Sequence, residues 1–178
     1  MYNAYVSMNI YAQIVGFIAL LSAIAVFQSN DRKKMLYIQL LTALLFAVHY
    51  GLLGAWTGVA MNLIGGARNV IFIRTRRRIW LYVVISTFIV ASVVTWQSVY
   101  SVLPLVGMVS GTIAFWMSSS SKIRYLALLS PPVWFIYNFL VGSYAGLLAE
   151  MFIFASIIVG IQRFDRSLVK KHIMRMQS

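Results

Sequence analysis

The sequence predicts an all-α membrane protein in which seven transmembrane helices form two parallel three-helix bundles joined by a linker helix. Three observations lead to this prediction: the apolar composition, the distribution of the basic loops, and an internal repeat. Hydrophobic residues make up 61% of the 178 residues and charged residues only 10%, a balance typical of chains embedded in lipid. Seven apolar segments are close to the length that crosses a bilayer: 9–28, 35–53, 55–73, 79–96, 100–117, 125–141 and 143–162.

The first apolar segment is expected to remain as a membrane helix rather than to act as a cleaved signal peptide. A signal peptide carries positive charge before its apolar run, whereas here the basic residues follow it. Basic residues also follow the third, fifth and seventh segments, and the intervening turns contain no Lys or Arg. Because positively charged loops stay in the cytoplasm, this alternation predicts an N-terminus outside and a C-terminus inside.

Two stretches that lie 88 residues apart share one pattern of small and polar residues. They are Gly54, Gly58 and Asn62 in the first copy, and Gly142, Gly146 and Glu150 in the second. A spacing of four places each set on one face of a helix, where the glycines let another helix approach closely. Other matches share this offset, with a register shift of about three expected in the first helix. The repeat predicts two equivalent bundles, 1–78 and 99–162.

The segment 79–98 is predicted to be a linker transmembrane helix. A three-helix unit that begins outside ends inside, so a second copy in the same orientation requires one further crossing. This segment contains no glycine and its helical part is apolar on all sides, as a lipid-facing helix would be. The remaining residues, 163–178, alternate basic and apolar side chains. We expect them to form a cytoplasmic tail that binds anionic lipids of the bilayer.

Motifs in both halves resemble a known family. They are His49-Tyr50-Gly51-Leu52-Leu53-Gly54, Asn62, Arg68 and Arg74-Thr75-Arg76, then Trp134, Ile136, Asn138-Phe139, Gly142-Ser143, Gly146 and Glu150. In these stretches the chain resembles the YgjV-type bacterial inner-membrane proteins, which implies a multi-pass protein of the bacterial inner membrane. The 3+1+3 helix plan is also similar to that of the sugar-transporting SWEET and PQ-loop proteins.

The SWEET-like resemblance has one clear departure. Those proteins carry a helix-bending proline in the second helix of each repeat. Here the second repeat contains Pro131 and Pro132, whereas the matching positions of the first repeat are Ala43 and Leu44. Because proline removes a backbone hydrogen bond and permits bending, the two bundles are expected to bend unequally. This difference argues against symmetrical rocking and against a sugar as the substrate.

Asn62 and Glu150 form the candidate substrate-binding pair. Transporters built from parallel repeats hold their substrate near the middle of the membrane, between the repeats. The SWEET-like resemblance and the internal offset place Asn62 and Glu150 there, and their chemistry favours a small polar or cationic solute over an anion. Glu150 is also the proton-coupling candidate, because a carboxyl group withdrawn from water takes up a proton more readily. Alternatively, the two side chains bond to each other and only hold the halves together.

Four further residues are candidate substrate contacts in the outer half. His49 and Tyr137 are partners at the offset of 88, and Asn138 is the partner of Tyr50. These residues would form an outer gate or the upper wall of a site, and Trp134 would flank a ring-shaped solute. Each also has a packing interpretation, since an intramembrane His or Tyr can bond to a neighbouring helix and Trp is common at membrane interfaces.

Arg68 is the one basic residue inside an apolar segment. Its helix position places it nearer the inner end than Glu150, so a direct pair is not favoured. We expect its long side chain to extend towards the cytoplasmic face or to bond backbone carbonyls there.

Other functional classes are less compatible with the sequence. The chain has no cysteine, and with one acid and one histidine inside the apolar segments it predicts no metal site and no cofactor. The net charge of +12 lies in the loops and tail, so no nucleic-acid interface is expected. Paired catalytic acids are excluded, and a Ser–His dyad that uses His49 has no supporting spacing. We therefore expect no enzyme; the alternative to a transporter is a membrane protein with a structural or partner-binding role.

Overall fold

The computed structural model describes residues 2–165, with side chains from residue 10 onwards. This part of the chain forms eight α-helices, which confirms the predicted all-α class. They are α1 (Tyr2–Phe27), α2 (Arg32–Leu52), α3 (Trp56–Arg74), α4 (Ile79–Val94), α5 (Val102–Trp116), α6 (Ser120–Ala127), α7 (Ser130–Leu140) and α8 (Tyr144–Gly160). A 3-10 turn at Val99–Ser101 precedes α5, and a π-helical turn at Ile161–Asp165 continues α8. Most of the tail predicted at 163–178 lies outside the described residues.

Within residues 2–165, four helical stretches are long and apolar enough to cross a membrane. They are Ile10–Phe27, Arg32–Leu52, Val99–Trp116 and Tyr144–Asp165, and the apolar stretch Ile79–Val94 is shorter. Many large apolar side chains lie on the outer surface, as in Val94 of α4, which is 78% exposed. Such a surface is stable against lipid and unstable in water, so the protein is a membrane protein.

The segment predicted as a single span at 125–141 is in fact two helices, α6 and α7. The break lies directly before Ser130-Pro131-Pro132, because proline lacks the backbone N–H and fits the first turn of a new helix better than the interior of an old one. α6 already begins at Ser120, so Lys122 and Arg124 lie on a helix and not in the predicted loop. Arg124 is fully buried, so it is not a solvated loop charge.

The first glycine of each repeated stretch lies in a turn and not on a helix face, so that part of the predicted stripe is wrong. Gly54 has φ +70° and Gly142 has φ +69°, a left-handed conformation that disfavours other residues. In both turns the next N–H reaches back five residues. Ala55 donates to the carbonyl of Tyr50 and Ser143 to that of Asn138, both over 2.9 Å. Each glycine thus ends one helix and lets the next begin.

The second glycine of each stretch does pack closely within a helix. At Gly58 an added Cβ would lie 2.8 Å from the ring of Tyr50, and at Gly146 it would clash with the side chains of Asn138 and Ser143. These glycines therefore let α3 approach α2, and α8 approach α7.

The helix boundaries repeat with the offset of 88. The matching pairs are Arg32 and Ser120, where α2 and α6 begin; Leu52 and Leu140, where α2 and α7 end; and Trp56 and Tyr144, where α3 and α8 begin. The broken helix α6–α7 thus occupies the position of the continuous helix α2.

Six helices form a closed ring in the order α1, α2, α3, α5, α7 and α8, with α8 packed against α1. The two halves of the chain meet at two seams, α3–α5 and α8–α1. α4 packs against α3 and α5 and buries only Val84, Phe88 and Ser92. Following the predicted topology, we call the end at which α2 and α7 terminate the outer end, and the opposite end the inner end.

Candidate functional site

A cavity of about 90 Å³ lies inside the ring, which is more space than one water molecule needs. Its polar lining consists of Gln39, Thr42, Asn62, Arg68, Ser130 and Glu150. Aromatic side chains complete much of the wall: Phe27, Phe46, Tyr50, Phe115 and Trp134. A polar cavity within apolar helices is the usual place for a substrate or ion pathway in a membrane protein.

Residues at equivalent positions of the two halves face each other around this cavity. Six pairs of lining residues are separated by 88 positions: Ala23 and Gly111, Phe27 and Phe115, Gln39 and Ala127, Thr42 and Ser130, Phe46 and Trp134, and Asn62 and Glu150. At the pairs from α1 and α5 the offset holds without the expected shift of about three. The cavity therefore lies where the two copies of the repeat meet.

Asn62 and Glu150 line the cavity, and each is 9% exposed. The Nδ2 group of Asn62 donates to the carbonyl of Gly58 in its own helix, over 2.9 Å. Within the described part of the chain no hydrogen bond joins Asn62 to Glu150, and no group donates one to the Glu150 carboxylate. The bond between Asn62 and Glu150 that was considered as an alternative is thus absent, and the Glu150 carboxyl group faces the cavity without a protein donor.

Tyr50 and Asn138 close the outer end of the cavity. The Tyr50 hydroxyl donates to Oδ1 of Asn138 over 2.6 Å, which joins α2 to α7. The Tyr50 ring also contacts the rings of Trp134 and Tyr137, with centroids 5.9 and 6.0 Å away. Of the predicted outer contacts, Trp134 lines the cavity, whereas Tyr137, Asn138 and His49 lie outside its lining.

His49 ties three helices together above the cavity. Its Nδ1 lies 2.7 Å from the carbonyl oxygen of Ala12, and its Nε2 lies 2.7 Å from the hydroxyl of Ser143. Because a carbonyl only accepts, Nδ1 carries the proton and the Ser143 hydroxyl donates to Nε2. Both ring nitrogens are occupied, so in this conformation His49 offers no nitrogen to a solute.

Tyr137, the partner of His49 at the offset of 88, makes the equivalent contact in the other direction. Its hydroxyl lies close to the backbone of Gly58, in the first turn of α3. His49 thus reaches from α2 to the start of α8, and Tyr137 reaches from α7 to the start of α3. Each of these two side chains contacts the opposite half of the ring.

Two arginine side chains join the halves at the inner end. Arg32, at the start of α2, donates to the carbonyls of Phe72, Phe115 and Met117, at the inner ends of α3 and α5. The Phe27 and Phe115 rings stack beside it, 6.4 Å apart.

Arg124 of α6 makes the corresponding contact at the other seam. It forms a buried ion pair with Asp165, at 2.6 and 3.0 Å, and donates to the carbonyl of Ser29 after α1. Each seam is therefore closed at its inner end by an arginine that bridges two helices. Sequence inspection placed Arg32 and Arg124 only as topology signals.

Arg68 differs from the expectation that it extends towards the cytoplasmic face. It is only 2% exposed and lines the cavity. Its guanidinium donates to Oδ1 of Asn69 at 2.9 and 3.1 Å and to the hydroxyl of Thr112 at 3.1 Å, and it lies over the ring of Phe115. These neutral side-chain acceptors hold the guanidinium inside the ring, so it neither reaches the interface nor bonds backbone carbonyls.

Comparison with known proteins places the chain in a family. The family model described as a bacterial inner membrane protein, Imp-YgjV, matches residues 10–167. The chain belongs to the Imp-YgjV family of bacterial inner membrane proteins. It is similar to the inner membrane protein YgjV of Escherichia coli strain K12, with 29% identity over 143 residues that cover 78% of this chain and 76% of that protein. No solved structure matches the chain. Membership of the Imp-YgjV family means that this is a multi-pass protein of the bacterial inner membrane.

Sequence reasoning on this Imp-YgjV protein did not assign Tyr50, Arg68, Thr42 and Ser130 to the substrate contacts. Tyr50 and the pair Thr42 and Ser130 carried a signal, since each stands at the offset of 88 from another polar residue. Arg68 carried a different signal, as the one basic residue inside an apolar segment, but its equivalent position is Ser156 and the repeat gave it no partner of like chemistry.

Proposed function

We propose that this protein is an inner-membrane transporter that moves a small polar solute by alternating access through the cavity between two three-helix bundles. In this proposal residues 1–78 and 99–162 form the bundles and 79–98 the linker, with the N-terminus outside and the C-terminus in the cytoplasm. The observation that carries the proposal is the position of the cavity, whose walls come from equivalent residues of both halves. Parallel-repeat transporters hold their substrates at this position.

The contacts at both ends of the cavity support a closed intermediate of such a cycle. At the outer end Tyr50 bonds to Asn138, and at the inner end Phe27 stacks on Phe115. Each contact joins the two halves. Rotation of one half against the other would therefore break the contact at one end of the cavity and keep the contact at the other end. A carrier needs this combination, because opening both ends together would create a leak.

The outer contact leaves a polar group without a partner. Nδ2 of Asn138 is buried and has no hydrogen-bond partner among residues 2–165. A buried donor in this state costs about 1–3 kcal/mol. Opening of the outer end would admit water to the amide and recover this free energy. The closure is thus better suited to a reversible gate than to permanent packing.

The break between α6 and α7 supplies a place for bending in the second half. The carbonyls before Pro131 and Pro132 lack the N–H partners that a continuous helix provides. In the first half the equivalent helix α2 runs unbroken for 21 residues. Motion in this carrier is therefore unequal, with the second half bending more than the first.

We propose no catalytic activity, although the fold brings a serine and a histidine together. Ser143 and His49 are both fully buried, and neither lines the cavity. Ser143 also caps α8 by accepting the N–H of Gly146 over 3.1 Å. A nucleophile needs room for its substrate, and this hydroxyl has structural partners on both sides.

Exchange in liposomes tests the proposal. The purified protein should support saturable counterflow of at least one labelled solute from a panel of amino acids, betaines, amines, sugars and nucleosides. Glu150→Gln should abolish this flux, whereas Tyr82→Phe should retain it, because Tyr82 is 63% exposed on the linker helix. If no solute exchanges above empty liposomes, the alternative stands: an integral membrane protein with a structural or partner-binding role.

A further inference from the structure

We propose that the cavity binds a zwitterion, a small solute that carries a carboxylate and an ammonium group, such as an amino acid or a betaine. This inference rests on the proposed transport function and adds the class of substrate. It follows from two buried side chains of opposite charge, Arg68 and Glu150, which line one cavity but do not pair with each other.

Arg68 presents a cation whose charge no acid compensates. Among the described residues the one side-chain ion pair is Arg124 with Asp165, so no carboxylate lies within 4.0 Å of Arg68. Three of its five N–H groups bond to Asn69 and Thr112, which are neutral. One N–H remains on each terminal nitrogen. Two neighbouring donors of this kind match the two oxygens of a carboxylate.

The charge of Arg68 is more than its structural position requires. At the other seam the equivalent residue, Ser156, donates over 2.8 Å to the carbonyl of Ile24 and so joins α8 to α1. Arg68 joins α3 to α5 at the equivalent place by donating to the side-chain hydroxyl of Thr112, which is the equivalent of Ile24. A hydroxyl is therefore sufficient for this contact. The buried guanidinium is costly by comparison, which favours a role towards the cavity.

Glu150 presents a carboxyl group to the same space, and its ionised form carries the opposite charge. Among the described residues no hydrogen-bond donor reaches its carboxylate. The aromatic side chains of Tyr50 and Trp134 line the same cavity and exclude much of the water that would otherwise solvate a bound ammonium group. A cationic group bound here would donate to the Glu150 carboxylate, which has no donor from the protein.

The depths of the two charges define how the zwitterion lies. Arg68 is 12 residues after the start of α3, and Glu150 is 6 residues after the start of α8. Since α3 and α8 begin at the same end, their α-carbons differ in depth by about 9 Å, with Arg68 nearer the inner end. The carboxylate of the solute would therefore lie towards the inner end and its ammonium group towards the outer end.

Simpler solutes fit this cavity less well. A neutral sugar or a cation would leave the charge of Arg68 unpaired, and an anion would leave the Glu150 carboxyl group without a partner. Each unpaired buried charge is expensive, whereas a zwitterion compensates both at once. The sequence favoured a polar or cationic solute over an anion from the chemistry of Asn62 and Glu150 alone, and it expected Arg68 to point away from the cavity.

Thermal stabilisation in detergent tests the inference without requiring transport. The probes are glycine, β-alanine, γ-aminobutyrate and glycine betaine, each at a concentration that saturates any effect. Matched controls keep the carbon chain and remove one charge: propionate and n-propylamine for β-alanine, butyrate and n-butylamine for γ-aminobutyrate. At least one zwitterion should raise the melting temperature by about 5 °C or more, and its matched controls should not.

Two variants connect the effect to the site. Arg68→Gln and Glu150→Gln should each abolish the stabilisation by the zwitterion, while Tyr82→Phe should keep it. Where Arg68→Gln fails to fold, Arg68→Lys retains the charge, loses the two-pronged contact, and should require a higher zwitterion concentration for half-maximal stabilisation.

The inference is overturned if butyrate, butylamine or a sugar stabilises the protein as strongly as the zwitterions, if no zwitterion stabilises it, or if stabilisation survives loss of both charges. A zwitterion that stabilises the protein but is not exchanged in liposomes would refute the transport proposal and leave the ligand class intact. Exchange of a sugar that is lost when the cavity residues are substituted would refute the zwitterion as the ligand class and leave the transport proposal intact.

Discussion

Tyr50 donates a hydrogen bond to Asn138, and these two residues occupy equivalent positions in the two copies of the internal repeat, 88 residues apart. Two equivalent residues can touch only where the axis that relates the copies passes between them. Phe27 and Phe115, which stack at the inner end, have the same separation in sequence. The axis therefore runs from the outer contact to the inner contact, and the cavity lies on it between them.

The outer contact should act as a gate that depends on one hydroxyl. Tyr50→Phe removes the donor to Asn138 and should lower the free energy of unfolding by about 1–3 kcal/mol, since the amide oxygen loses its buried partner. Because the chain contains no cysteine, a single Ser130→Cys reports on the cavity. Its reaction with an impermeant thiol reagent added outside should be faster in the Tyr50→Phe background. An unchanged reaction rate would mean that this bond does not limit access.

The ion pair between Arg124 and Asp165 should be important for stability. Both side chains are buried, at 0% and 2% exposure, so Asp165→Asn would leave an arginine without its counter-charge. We expect a loss of about 3–5 kcal/mol, measured as a lower melting temperature in detergent. Lys122→Gln on the same helix is the matched control, because Lys122 is exposed. Equal melting temperatures for the two variants would contradict the assignment.

The two turn glycines should be sensitive to substitution by alanine. Gly54→Ala and Gly142→Ala place a Cβ on a residue with positive φ and should each cost about 1–2 kcal/mol. Gly51→Ala is the control, because Gly51 is helical and an added Cβ would meet only an ordinary contact at 3.8 Å. That change should be neutral or slightly stabilising. The comparison uses melting temperatures of the three variants, and similar values for all three would rule out the turn argument.

The orientation of the chain can be tested with reporter fusions. A reporter active only outside the cytoplasm should be active at the N-terminus, and one active only in the cytoplasm should be active at the C-terminus. Termini on the same side of the membrane would be incompatible with two parallel bundles joined by one linker helix, and reversal of both ends would contradict the orientation predicted from the basic loops.

Much of the architecture could be predicted from the sequence because it depends on local chemistry. Apolar length and basic loops indicated most of the helices, and the offset of 88 identified Asn62 and Glu150, which line one cavity. The two glycines at positive φ were found, but their role was misjudged, since a spacing of four fits a helix face and a turn followed by a helix equally well.

The remaining features depend on tertiary contacts that leave no local pattern. Arg68 stays inside the ring because Thr112, 44 residues later, accepts its hydrogen bond. Arg124 is buried because Asp165 lies against it, 41 residues later in a segment with no periodic signal. The break before Pro131 was also missed, because a proline that bends a helix and one that begins a helix look the same in sequence.

Access to the cavity from the two sides of the membrane tests the central claim most directly. In the cysteine-free chain, Ser130→Cys should react with an impermeant thiol reagent from the outside and, in separate vesicles, from the inside. Val90→Cys on the exposed side of α4, one turn inside the end of the helix, is the control and should react from neither side. Locking the outer end with a short cross-link between Tyr50→Cys and Asn138→Cys should abolish the outside reaction and preserve the inside one. Reaction of Ser130→Cys from one side only, or from neither, would contradict alternating access.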